Sequence, residues 1–242
     1  MSQESRKKRY EAKQKSQQSF MSKIKEKQGL LLGALVVVVV AFVIVAILTS
    51  GVLNNGPEKN AVVTMEIEEY GTVTMELYYD KAPNTVRNFI SLIKAGYYDN
   101  TLIPRVAKGF VVQAGRNDEK KLDYTIKGEF PNNGFRKNDL SNARGTIAMA
   151  RNSSNVGTIK AENSAASEFY INVANNSAKL DGSYAVFGKV TSGLDILVKI
   201  SKLDNDGSNG TGDGKPTKDI RIKSVTVETF GFEYGEPTKI MK

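Results

Sequence analysis

The sequence predicts a mainly β domain carried behind one membrane-spanning helix, and three patterns carry that reading. Apolar and polar residues alternate in short runs, most plainly at Val63, Met65 and Ile67 and again at Val73, Met75 and Leu77. Further short β-rich runs recur between glycines along the rest of the chain, as in a barrel or sandwich. Ahead of them, no charged residue occurs from Gly29 to Leu53.

The elements follow in order. The 242-residue chain has a net charge of +8. Residues 1–28 hold nine cationic residues against three acidic ones, or +6, so only +2 remains for everything beyond them. About 20 apolar residues at 1.5 Å each cross a hydrocarbon core roughly 30 Å thick. The Val-rich run at 29–53 is far too long for one strand, and in lipid a helix satisfies its own backbone polar groups. The basic flank predicts a cytoplasmic N-terminus with the remainder outside the cell membrane. A cleaved signal peptide is the second reading, with Thr49-Ser50-Gly51 a poor cleavage site and the apolar region longer than the usual 7–15 or so residues. The expected organisation is a basic cytoplasmic tail (1–28), a single-pass anchor in the lipid bilayer (29–53), a linker (54–60), a globular domain (61–230) and a C-terminal tail (231–242). A basic tail alone would suit nucleic acid; followed by this anchor, it predicts no nucleic-acid partner.

In the globular part, the two alternating runs joined at Tyr70-Gly71 predict a half-buried hairpin. Pro83 opens a helix whose Val86, Phe89, Ile90 and Ile93 follow the i, i+3, i+4, i+7 pattern, and Gly96 stands where a C-terminal cap belongs. Strands are expected at Phe110–Gln113, Thr146–Ala150, Phe169–Val173, Ala185–Val190 and Ile220–Val227, with a short helix at Leu194–Ile200. The stretch Asp204 to Gly214 has the look of a calcium loop. Its sixth position is Asn209 rather than glycine and its twelfth is Lys215 rather than glutamate, so it reads as a surface turn.

The chain contains no cysteine and no histidine. Thiol nucleophiles, imidazole bases, Ser-His-Asp triads and zinc sites built on Cys or His are therefore excluded. Against that background one run stands out. From Ile103 to Gly115 the sequence reads Ile-Pro-Arg-Val-Ala-Lys-Gly-Phe-Val-Val-Gln-Ala-Gly, with a permanent cation, Arg105, in a stretch too apolar for a solvated loop. Arginine presents a rigid fork of donors at any physiological pH.

This run resembles the arginine-bearing segment of cyclophilins, the peptidyl-prolyl cis-trans isomerases. Ser164 to Ala174 (Ser-Ala-Ala-Ser-Glu-Phe-Tyr-Ile-Asn-Val-Ala) is similar to that family's SQFFI segment, and Leu180 to Val190 to its LDG…VFGKV segment. Three segments in the right order make the likeness specific, and it runs from about Ala61 to Thr229. Gly-Thr-Ile-Ala-Met-Ala-Arg at 145–151 and Tyr-Ala-Val-Phe-Gly-Lys-Val at 184–190 bring it nearest to bacterial members. The resemblance implies a closed eight-stranded antiparallel barrel capped by two helices, proline-containing polypeptide clients, and no metal or other cofactor. It implies that Arg105 and Gln113 act on the prolyl bond. Phe110, Val111, Tyr170 and Leu180 match the wall of the proline pocket, Ala150 and Arg151 the strand that pairs with the peptide, and Tyr184 and Glu168 fall within the matching segments.

There are departures. Ile103-Pro104 stands where the family usually has Phe-His, Val111 where Met is usual, Arg116 where an aspartate often closes the turn, and Lys179 where an aromatic often precedes Leu180. The last removes a wall contact used for cyclosporin. Glu168 replaces a usual glutamine. A carboxylate about 4 Å from Arg105 would attract it by about 4 kcal/mol at an effective dielectric near 20. Glu168 is thus expected to hold that fork or to compete for it, unless Arg151 takes up its charge.

Overall fold

The computed structural model describes Met21 and residues 56–242 apart from 155 and 156. The expected anchor at 29–53 lies outside the described residues. Among the described residues, no helix is long and apolar enough to cross a membrane.

The predicted hairpin forms from β1 (Val62–Ile67) and β2 (Gly71–Leu77), paired from Val62–Glu76 to Ile67–Gly71. Helix α1 (Pro83–Lys94) buries Val86, Phe89, Ile90, Leu92 and Ile93. It ends as its sequence foretells: Gly96 takes φ +60° and donates its N–H to the Ile93 carbonyl. At its other end, where Ala82 offers no capping side chain, buried Glu129 takes over. One Glu129 oxygen accepts from the Asn84 N–H at 3.0 Å, and the other accepts from the Thr85 N–H and hydroxyl at 2.7 Å each. A carboxylate there satisfies orphan donors and complements the helix dipole.

The remaining strands are β3 (Arg105–Ala107), β4 (Val111–Ala114), β5 (Tyr124–Thr125), β6 (Thr146–Met149), β7 (Phe169–Asn172), β8 (Val186–Ser192), β9 (Asp213–Gly214), β10 (Ile222–Glu228) and β11 (Ile240–Met241). Between them lie two single turns of helix, α2 (Ile159–Glu162) and α3 (Ser177–Leu180), and then α4 (Leu194–Ile200), as expected. All pairings are antiparallel, in the order β10-β1-β2-β8-β6-β7-β4-β3-β9. Bulges at Glu66/Ile67, Thr74/Met75 and Ile147/Ala148 help to curl the sheet.

The expected closed eight-stranded barrel is corrected by this order. The sheet has nine strands and curls without closing. The outer edge of β3 is occupied by β9, through the pairs Val106–Gly214 and Ala107–Asp213. β10 therefore cannot pair along β3, and across the gap only the isolated bridge Leu102–Arg221 forms.

Side-chain alternation then builds two apolar regions from one set of strands. Val106, Val112, Ala114, Ile147, Met149, Phe169, Ile171 and Phe187 point into the main core with α1. Their neighbours Ala107, Val111, Ala148, Tyr170 and Val186 form a second, smaller cluster on the opposite face. This period of two explains why the stretch around Arg105 is so apolar: both faces of β3 and β4 are covered.

The chain end packs on the domain. Tyr234 is buried, with Phe232 and Tyr79 ring centroids 4.8 and 5.2 Å away. Asn84 exchanges two hydrogen bonds with the Thr238 backbone, and β11 pairs with β5.

Candidate active site

Strand register assembles the polar centre of the site. Arg105 on β3 lies opposite Gln113 on β4, Gln113 opposite Tyr170 on β7, and Tyr170 opposite Ala148 on β6. These residues form a row across the outer face, at about 4.8 Å per strand. A cleft of about 780 Å³ runs over this row. Of the residues expected to act on or bind the substrate, all but Glu168 line it: Arg105, Phe110, Val111, Gln113, Ala150, Arg151, Tyr170, Leu180 and Tyr184.

Val111 and Tyr170 are buried, while Phe110, Leu180 and Tyr184 are half-exposed, so the slot has a dry floor and an open lip. Tyr170 is held by its hydroxyl, which donates to the Asn142 side chain at 2.8 Å, and its ring meets Tyr184 edge-on at 5.6 Å. Burial pushes the Tyr170 phenol well above its ordinary range.

Arg105 is clamped. Its Nε and Nη2 donate to the two oxygens of Asp213 at 2.7 and 2.6 Å, and its Nη1 donates to the Gln113 amide oxygen at 3.1 Å. Three of its five N–H groups are thus engaged, leaving two for a ligand. The side chains of Arg105 and Asp213 keep 28% and 22% of their exposure. The hydrogen bonds to Asp213 raise the Arg105 pKa further, and those same bonds hold the Asp213 carboxyl below the usual range.

Asp213 was not legible from the sequence. It lies 108 residues from Arg105, in the glycine-rich stretch read as a surface turn. Only the pairing of β9 with β3 brings it alongside. The expectation for Glu168 is corrected accordingly. One Glu168 oxygen accepts from the Gln113 amide at 2.9 Å, and the other meets Arg116 Nε at 3.3 Å. Glu168 thus touches Arg105 only through Gln113, and Arg116 takes up the charge. The tight turn that brings Arg116 round needs Gly115, at φ +90°, where a Cβ would come within 2.5 Å of the Ser167 carbonyl.

Arg151 is not an open cation. Its side chain is 2% exposed, lies 3.3 Å from Glu162, and donates from Nε to the Ser183 carbonyl at 2.8 Å. Its guanidinium sits over the Tyr184 and Phe130 rings at 4.8 and 5.4 Å. It serves as a rigid plate behind Tyr184.

A curled antiparallel sheet flanked by helices, with a fixed guanidinium and an amide beside an apolar slot, defines a cyclophilin-like domain. Residues 62–227 match the family described as cyclophilin type peptidyl-prolyl cis-trans isomerase/CLD, and the chain belongs to that family. It is 35% identical over 195 residues to a peptidyl-prolyl cis-trans isomerase of Acinetobacter baylyi, covering 77% of this chain and 96% of that protein. It is 37% identical over 169 residues to peptidyl-prolyl cis-trans isomerase B of Escherichia coli, covering 65% of this chain and 94% of that one. Among solved structures it is similar to a Cryptosporidium parvum cyclophilin, at 26% identity and a TM-score of 0.57 over 70% of this chain and 98% of that one. The same parasite protein has also been solved in the presence of the dipeptide Ala-Pro (26% identity, 69% and 98% of the two chains, TM-score 0.54).

Neither partner of the clamp titrates near neutrality. Asp213, held low, stays ionised until the pH falls below the ordinary carboxylate value of about 3.9, and Arg105, raised by the same bonds, stays protonated throughout the physiological range. The clamp's contribution to stability is complete above that carboxylate value and is lost as pH falls through the depressed one. With no histidine or cysteine in the chain, kcat/KM is expected to stay flat from about pH 5 to 9. NMR exchange spectroscopy on a prolyl peptide across that range checks this; a bell or sigmoid inside the window would mean that a titrating group takes part.

Proposed function

We propose that the cleft catalyses cis/trans exchange of Xaa–Pro bonds in exported polypeptides at the outer face of a cell membrane, with the chain tethered by residues 29–53. The single observation that carries the chemistry is the clamped Arg105 fork with two free N–H groups beside the apolar slot. The barrier of about 18–20 kcal/mol is that of breaking amide resonance. A catalyst needs only to favour the twisted bond over both planar forms.

In this reading Arg105 donates to the prolyl nitrogen or the neighbouring carbonyl as the twist develops, and Gln113 positions the peptide. Phe110, Val111, Tyr170, Leu180 and Tyr184 hold the proline ring. Ala150 and Arg151 border the peptide's main chain, and Glu168 steadies Gln113. One charge-assisted hydrogen bond contributes roughly 1.5–3 kcal/mol, one to two decades in rate. The rest comes from fixed dipoles in a poorly hydrated slot. The Ala-Pro dipeptide present with the parasite cyclophilin supports a proline-containing ligand for this cleft.

The location rests on the uncharged run at 29–53 and its basic flank. Full-length protein is expected to resist carbonate extraction from membranes, and its β domain to be digested by protease added outside intact cells. Recovery in the soluble fraction, or protection from external protease, would refute the tethered outward orientation.

A further inference from the structure

Beyond Phe110 the cleft continues into a second hollow of about 530 Å³, which shares Phe110 and Asp213 with it. Two lysines line this hollow: Lys108, in the turn between β3 and β4, and Lys179, in α3. Both are exposed, and neither makes an ion pair among the described residues. Asp213 is its one acidic lining residue, and both Asp213 oxygens are turned onto Arg105. Among its lining residues, therefore, no carboxylate is left to offset the two lysines.

Lys179 lies close to the proline slot, on a helix that is tied to it. Lys179 Nζ stands 5.7 Å from the centroid of the Phe110 ring. Asn176, at the start of α3, donates from its amide to the Phe110 carbonyl at 2.8 Å and to the Asn172 side chain at 2.7 Å. That tie holds α3, and with it Lys179, against the slot. An extended chain advances about 3.3 Å per residue, so this distance corresponds to one or two residues from a proline seated beside Phe110.

We propose that the Lys108–Lys179 hollow is a subsite for an acidic side chain of the client, one or two residues from the isomerised proline. This rests on the isomerase reading above and adds a client class to it: acidic prolyl segments are preferred over neutral ones, and basic ones are disfavoured. Two half-solvated ion pairs give modest discrimination, about five-fold in kcat/KM.

The test uses the full-length chain in detergent and prolyl peptides carrying Glu, Ala or Lys at each of the two positions on either side of the proline, with exchange measured by NMR. Glu on one side is expected to raise kcat/KM about five-fold over Ala and Lys to lower it, with the ratio shrinking toward one in 0.5 M salt or so, where screening is short-ranged. Lys108→Ala with Lys179→Ala is expected to abolish the ratio while turning over the Ala peptide within about two-fold of wild type. Equal rates for Glu and Lys peptides with wild type, or an undiminished ratio in the double variant, would overturn the subsite and leave the isomerase reading standing. Failure to turn over the Ala peptide would overturn both.

Discussion

Arg105→Ala is expected to lower kcat/KM for a prolyl peptide by about 10²-fold, with most of the fall in kcat. Removing the fork deletes the two N–H groups left unengaged beside the cleft and leaves the Gln113 amide oxygen without its partner. Losing one preorganised donor in a poorly hydrated site typically costs roughly 2.7–4 kcal/mol of transition-state stabilisation. The fold is expected to survive, since the Asp213 carboxylate left behind keeps 22% of its exposure and can rehydrate. Arg105→Lys should fall between wild type and alanine: it keeps the charge but cannot engage both Asp213 oxygens and Gln113 in one plane. NMR exchange rates, with circular dichroism as the check on folding, decide the matter. A loss smaller than about threefold in a folded Arg105→Ala protein would remove the guanidinium from the mechanism.

Phe89→Ala is expected to destabilise the β domain by about 3–5 kcal/mol. Phe89 is fully buried on the core face of α1, with the Tyr98, Phe169 and Phe187 rings at 5.2, 5.1 and 5.1 Å. Its loss opens a cavity under β7 and β8, whose next residues outward, Tyr170 and Val186, belong to the apolar cluster on the cleft side of the sheet. Urea unfolding followed through the tyrosines reports the stability; a change below about 1 kcal/mol would mean that the core collapses around the missing ring. The same variant should show a higher KM, because slot and core are two sides of one sheet.

Much of this was written in local pattern. The alternation at Val63–Ile67 and Val73–Leu77 specified the hairpin, and the spacing of Val86, Phe89, Ile90 and Ile93 with Gly96 specified α1 to its cap. Arg105, Gln113 and Tyr170 stand in the recognised motifs, and the sheet's register sets them in one row. What stayed hidden was whatever depends on pairing between distant segments. β9 is two residues long and carries no alternation, so nothing local marks it as a strand. Hence neither the open seam beside β3 nor the carboxylate on Arg105 is marked locally, and Glu168, expected to hold that fork or to compete for it, leaves the place to Asp213. The capping of α1 by Glu129, 45 residues away from Asn84, escaped for the same reason.

The stretch that follows β10 bears on how this domain is to be delimited in the laboratory. The family match stops at residue 227, yet Tyr234 lies in the core and Thr238 is laced to Asn84 in the first turn of α1. A recombinant fragment trimmed to the homologous segment would strip an aromatic lid from Tyr79 and unzip β5 from its partner. The folding unit is longer than the homology unit, and a fusion or affinity tag belongs where it does not pull on that strap.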